Sequence, residues 1–173
     1  SRRNARVLIP KGSIGIMETL AVKEKIGEGE EELPLYMFVC TGNTCRSPMA
    51  AALFNHKYGK IARAESCGVA ASGRSPIASG AVSALKARGV APDGYISHVS
   101  RKATKELLEP AEKIICMTGD HANMLIMAFP EFAEKIFALP HDIFDPYGCD
   151  DATYARCLEQ IESELEAAFG EGK

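Results

Sequence analysis

Residues 40–47 read Cys-Thr-Gly-Asn-Thr-Cys-Arg-Ser, between the apolar run Leu35-Tyr36-Met37-Phe38-Val39 and an Ala-rich segment that opens with Pro48. The run has the length and apolar continuity of a strand buried on both faces, and it delivers Cys40 to the mouth of a short loop. Ser47 and Pro48 then read as a helix start, with Ser47 as N-cap and Pro48 at the first helical position. The amide N–H groups of Thr41, Gly42, Asn43, Thr44, Cys45 and Arg46 can turn inward and cradle an anion, with the positive end of the helix behind them. At the base of such a cradle the local potential favours thiolate over thiol, which makes Cys40 a nucleophile. Arg46 supplies a planar fork that can grip two oxygens of a phosphoryl group. A nucleophile, an anion cradle and a bidentate clamp in one short stretch describe a covalent phosphatase site. A Cys and an Arg at this spacing also arise by chance, and a buried Cys ending a strand is ordinarily an inert small hydrophobe. Gly42, Asn43, Cys45 and Pro48 around them select the catalytic reading.

From Leu35 onward, strand and helix patterns alternate, the mark of an α/β fold with a parallel sheet. The pattern predicts strands over 35–40, 62–67, 113–117 and 136–139, and helices over 47–58, 77–88, 103–109, 120–128 and 151–168. Gly59, Gly89 and Pro130 supply the stops. The spacing of Met117, Met124 and Met127 predicts core positions, and Arg101, Lys102 and Lys105 read as the solvated basic start of the short third helix. No Rossmann fingerprint and no Gly-Lys-Ser/Thr nucleotide loop is present.

The run Val39-Cys40-x-Gly-Asn-x-Cys-Arg-Ser-Pro resembles the signature of the low-molecular-weight protein phosphatases, over about residues 35–170. The resemblance implies a three-layer α/β fold around a central four-stranded parallel sheet and a phosphocysteine mechanism that needs no metal or cofactor. It implies that Asn43, Ser47, Ser66 and His98 hydrogen-bond together to hold the loop in shape, and that Ser47 helps Cys40 leave in the second step. Cys45 can close a disulfide with Cys40 that protects the nucleophile from over-oxidation, or it can simply shape the loop.

Releasing a leaving group also requires a proton, which a thiolate cannot supply. Asp145, in Asp145-Pro146-Tyr147 after the fourth predicted strand, is the best acid, because ligand sites in parallel sheets gather at the strands' carboxyl ends. It matches the family's Asp-Pro loop; Asp142 is the fallback. Most relatives act on phosphotyrosine and carry a bulky aliphatic residue where Thr44 stands, and an aromatic pair where this chain has only Tyr147. Thr44 and Asp-Pro-Tyr-Gly are similar to the bacterial protein arginine phosphatases of the same fold. A hydroxyl at the rim suits a polar, planar guanidine, so protein phosphoarginine is favoured over phosphotyrosine as substrate. Arsenate reduction and a non-catalytic phosphate reader are weaker alternatives. The first needs further clustered cysteines, and the second leaves Cys40, Arg46 and Asp145 unexplained.

The 173 residues suit one core-forming domain, 46% hydrophobic and 25% charged, and a net charge of -3 gives no sign of nucleic-acid affinity. No apolar run approaches the roughly 20 residues of a membrane span. Six scattered cysteines without a Cys-x2-Cys pair suit a reducing cytoplasm better than a disulfide framework or a zinc site. Residues 1–34 read as a separate arm. Its pattern predicts a short strand over Arg6-Val7-Leu8-Ile9, a short helix over 17–26 and an acidic, Gly-punctuated linker over 27–32, ahead of a phosphatase domain over 35–173. Residues 6–15 are similar to the closing segment of threonylcarbamoyl-AMP synthase domains. The arm is therefore either the tail of an upstream fused domain or a plain extension.

Overall fold

The computed structural model describes residues 6–8 and 32–172. Among them, five parallel strands form one sheet: β1 (Arg6–Val7), β2 (Leu35–Cys40), β3 (Arg63–Gly68), β4 (Ala111–Cys116) and β5 (Ile136–Ala138), in the order β1-β5-β4-β2-β3. The helices are α1 (Arg46–Tyr58), α2 (Ser79–Ala87), α3 (Lys105–Leu108), α4 (Gly119–Ala128) and α5 (Asp151–Phe169). The four strands expected from the sequence are present, and the fifth comes from the arm that the sequence sets apart. Arg6 pairs with Phe137 and Val7 with Ala138, and the Leu8 N–H donates to the Ala138 carbonyl at 2.8 Å. Leu8 is then buried in the core. The helix expected over 17–26 and most of the acidic linker lie outside the described residues.

β2 is the axis of the fold, and all six of its residues are buried. Its alternation sends Tyr36, Phe38 and Cys40 into the core that α1 and α5 cover, and Leu35, Met37 and Val39 into the core that α4 covers. A strand apolar on both sides can sit only between two helical layers, and each large side chain it buries contributes about 1.5–3 kcal/mol. On the first face, Tyr36, Phe54, Tyr58 and Phe169 form a ring cluster with centroids 5.1–5.8 Å apart. α2 packs on the same face against α5, where Gly80 is obligatory: a Cβ there would stand 2.3 Å from the Tyr154 ring.

Three local expectations are corrected. α1 begins at Arg46, with Cys45 in the capping position, so Ser47 is not an N-cap and Pro48 is the third helical residue; the loop's own pull on the Ser47 hydroxyl, described below, explains why. α3 begins only at Lys105, capped by Thr104, whose side chain accepts from the Leu107 N–H. Arg101 lies before it, in the brace of the site. Met117 is fully buried, but Met124 and Met127 are 49% and 84% exposed. The face of α4 that enters the core carries His121, Ala122, Leu125 and Ile126 instead. No helix among the described residues is long and apolar enough to cross a membrane.

Candidate active site

β2, β4 and β5 end at the same edge of the sheet, and the loops that leave them meet there. Cys40 is the last residue of β2 and is almost fully buried, at 2% exposure. Its Sγ lies 2.9 Å from the Ser47 Oγ. Asn43 adopts a left-handed backbone (φ 58°), which an Asn tolerates better than most residues. That turn is fixed from four sides. The Asn43 side-chain amide donates to Ser47 and Ser66 hydroxyls, both at 2.9 Å, and its Oδ1 accepts the Arg101 N–H at 3.0 Å. His98 Nε2 stands 2.8 Å from the Asn43 carbonyl. Asn43, Ser47, Ser66 and His98 are thus gathered into one network, with Asn43 at its centre.

The end of β3 backs the loop. Val69 and Ala70 N–H groups donate to the carbonyls of Cys40 and Thr41 at 2.9 and 3.0 Å. This approach requires Gly68, because a Cβ there would lie 2.4 Å from the Thr41 oxygen. These two carbonyls are thereby spent on the backbone that follows β3.

The guanidinium of Arg46 is buried and held from both outside and inside the loop. Its Nη1 donates to the Ile143 carbonyl at 3.0 Å and its Nη2 to Thr41 Oγ1 at 3.3 Å. Asp145 Oδ2 lies 3.6 Å from the same Nη2, on a side chain 55% exposed. A pair whose carboxylate is open to water at this distance adds little stability, about 0–1 kcal/mol, so it matters more for where it holds the carboxyl. Asp145 Oδ1 accepts the Tyr147 N–H at 3.1 Å, which sets the turn. Asp145 and Tyr147 close over a cavity of about 220 Å³ whose other walls are residues 40–46, including Thr44. Asp142 is not part of this cavity; its Oδ1 accepts the Gly119 N–H at 2.9 Å, at the start of α4. Cys45 faces away from solvent and contacts the Tyr154 hydroxyl at 3.2 Å. Burial pushes its thiol up, against the Tyr154 and Thr44 contacts that pull it down. Both Cys40 and Cys45 are free thiols, and among the described residues no cluster of His, Cys, Asp or Glu could hold a metal ion.

Sequence reasoning missed three parts of the site. Arg101 is a brace: its Nε donates to the Ser66 carbonyl at 3.0 Å and its Nη2 to Glu65 at 2.7 Å. Gly68 lets β3 approach the loop. His121, on α4, is 5% exposed, and its Nε2 stands 2.8 Å from Thr41 Oγ1. Burial, with the Arg46 charge beside it, pushes the His121 imidazole down to about 4. Burial likewise lowers His98. The signal for His121 lay in its place on the apolar stripe of a helix that follows a strand end. A larger groove of about 620 Å³ behind the brace reaches from Asn55 to Val99 and excludes Cys40.

Residues 36–171 match the family described as low molecular weight phosphotyrosine protein phosphatase. The chain is 35% identical over 139 residues to a protein-arginine-phosphatase of Bacillus subtilis, covering 75% of this chain and 90% of that one. It is 36% identical to a protein-arginine-phosphatase of Geobacillus stearothermophilus, over 73% of this chain and 88% of the other. Among solved structures it is similar to a mutant of the arginine phosphatase YwlE with a phosphorylated active-site serine (TM-score 0.70, 32% identity, 77% and 91% coverage). A low molecular weight protein tyrosine phosphatase from T. tengcongensis is equally similar (TM-score 0.72, 35% identity, 78% and 96% coverage).

Proposed function

The chain belongs to the low-molecular-weight phosphotyrosine protein phosphatase family, and from that premise we propose that it hydrolyses protein phosphoarginine through a phosphocysteine on Cys40. In the first step the Cys40 thiolate attacks phosphorus and the bond from phosphorus to the guanidino nitrogen breaks. Asp145, protonated at that moment, gives its proton to the departing nitrogen. The loop amides from Thr41 to Arg46 and the Arg46 fork hold the three equatorial oxygens as charge redistributes. In the second step Asp145, now a carboxylate, takes a proton from water as the water oxygen attacks phosphorus. The sulfur–phosphorus bond breaks, inorganic phosphate forms, and the Ser47 hydroxyl at 2.9 Å steadies the returning thiolate.

The observation that carries the substrate reading is the pairing of Thr44 and Asp145 across one small cavity. A guanidine needs polar partners at the rim and a proton at its nitrogen, and these two residues offer both. The names of two relatives point the same way. One observation favours phosphotyrosine instead: Tyr147, 75% exposed at the cavity mouth, presents a ring on which a phenyl group could stack. In this reading residues 35–173 form the phosphatase domain and residues 1–34 an extension or the tail of an upstream unit.

Side-by-side turnover of phosphoarginine and phosphotyrosine peptides tests the proposal. Wild type is expected to prefer phosphoarginine, and Thr44→Ile, which narrows the rim and removes its hydroxyl, should shift the ratio toward phosphotyrosine by about tenfold or more, a shift of roughly 1.4 kcal/mol. Preference for phosphotyrosine in both proteins would replace this substrate with the aromatic one.

A further inference from the structure

Thr41, the first residue of the loop, holds an unusual position among hydrogen-bond partners. Its Oγ1 has one hydrogen and two lone pairs. Arg46 Nη2, at 3.3 Å, has only hydrogens to give, so Thr41 accepts there. The second neighbour is His121 Nε2, at 2.8 Å. His121 is 5% exposed and held neutral by burial and by Arg46, so one ring nitrogen carries a hydrogen and the other a lone pair. Its Nδ1 is buried and finds no partner among the described residues.

That orphan atom decides the arrangement. A hydrogen on Nδ1 would be a buried, unpaired N–H, the rarer and costlier defect; a lone pair there is the milder one. The hydrogen therefore belongs on Nε2, which donates to Thr41. With Arg46 and His121 filling both of its lone pairs, Thr41 has its own hydrogen unspent. Thr41 also lines the cavity above Cys40.

We propose that the Thr41 hydroxyl is a side-chain donor to the phosphoryl group, turned toward it by His121 acting as a positioning residue. The proposal rests on the reading of this cavity as the phosphoryl site. It adds one directed O–H to the backbone N–H groups of the cradle. It also explains why a histidine, buried with half its polarity unsatisfied, sits under the loop: an apolar side chain there would leave the Thr41 hydrogen free to turn inward.

The test is binding of inorganic phosphate to the whole protein, by calorimetry, with folding checked by thermal melting. Thr41→Val should weaken phosphate binding about tenfold, the worth of one hydrogen bond to a charged group, and Thr41→Ser should keep wild-type affinity. His121→Leu should lose roughly three- to tenfold. His121→Gln, whose amide can donate from near the Nε2 position, should restore binding to within about threefold, and His121→Asn should not. In the Thr41→Val background, His121→Leu should cost almost nothing more, because the group it positions is gone. Wild-type affinity in Thr41→Val, or losses that multiply in the double variant, would overturn the proposal. If His121→Leu does not fold, Thr41→Val and His121→Gln still decide it. Absence of phosphate binding by wild type would instead remove the phosphoryl reading of the cavity.

Discussion

In the loop that leaves β2, Cys40, Asn43, Cys45, Arg46 and Ser47 are buried, and their polar groups are tied to β3, to Tyr154 of α5, to Ile143 or to other residues of the loop. In the loop that leaves β5, only Ile143 and Pro146 of residues 141–150 are buried, and Asp145 reaches the site through a single ion pair at 3.6 Å. Among the described residues, the buried link between the loops is the Ile143 carbonyl on Arg46. The two loops meet over one cavity but follow different rules. The anion cradle must exist before substrate arrives, because oriented dipoles are useful only if they need not reorganise. In the proposed mechanism the proton donor must stay in contact with water between its two tasks, because it is protonated in the first and a base in the second. Rigidity belongs with the charge, and exposure with the proton.

The largest break in that comparison is chemical. Cys40→Ser should abolish turnover while phosphate still binds, because a hydroxyl is a far poorer nucleophile at neutral pH and the cradle is otherwise intact. Phosphate release is measured with calorimetry beside it; turnover near wild type would take Cys40 out of its role.

Next comes the exposed loop. Asp145→Asn should slow phosphoarginine turnover by roughly 10²–10⁴, the usual size of a general-acid contribution. The loss should shrink for a nitrophenyl phosphate, whose leaving group departs without a proton. Equal losses on both substrates would make Asp145 a positioning residue for Arg46, and the contrast between the loops would narrow.

The smallest effect separates the loops by pH. His121 is held at about 4 in the folded protein, against about 6.5 for an ordinary imidazole. Its folded value lies below the unfolded one, so between those values the unfolded chain takes up a proton that the folded protein refuses, and stability falls as pH falls. His98, lowered by burial as well, acts in the same direction. From pH 7 to 4.5 His121 should cost on the order of 2 kcal/mol. Urea midpoints of wild type and His121→Gln at the two pH values check this: the variant should lose less on acidification, and an equal loss would place the acid sensitivity elsewhere.

The cradle was legible in the sequence because it is contiguous: a strand, its loop and a helix start announce themselves within one short stretch. The place of Asp145 at the cavity was legible because Asp-Pro marks a turn and parallel sheets collect loops at one edge. His121, Arg101 and Gly68 were not, because each acts on the loop across the fold, His121 from 80 residues beyond Thr41 and Arg101 from 58 beyond Asn43. Apolar periodicity says which face of α4 is buried, but not that a histidine on that face meets a hydroxyl. It also misassigned Met124 and Met127, since a thioether at helical spacing reads as core even where the helix turns it outward. Ser47 had a sufficient local reason to be a cap, and the long-range pull of Cys40 and Asn43 overrode it.

Among the described residues β1 contributes two paired positions, and they lie along the flank of β5 that would otherwise offer its main-chain donors and acceptors to any passing strand. Such flanks are templates on which one chain can zip onto the next. By seating Arg6–Val7 there and sinking Leu8 beneath, the arm covers that margin and becomes the outer strand in its turn, and an outer strand this short is a poor template for a passing one.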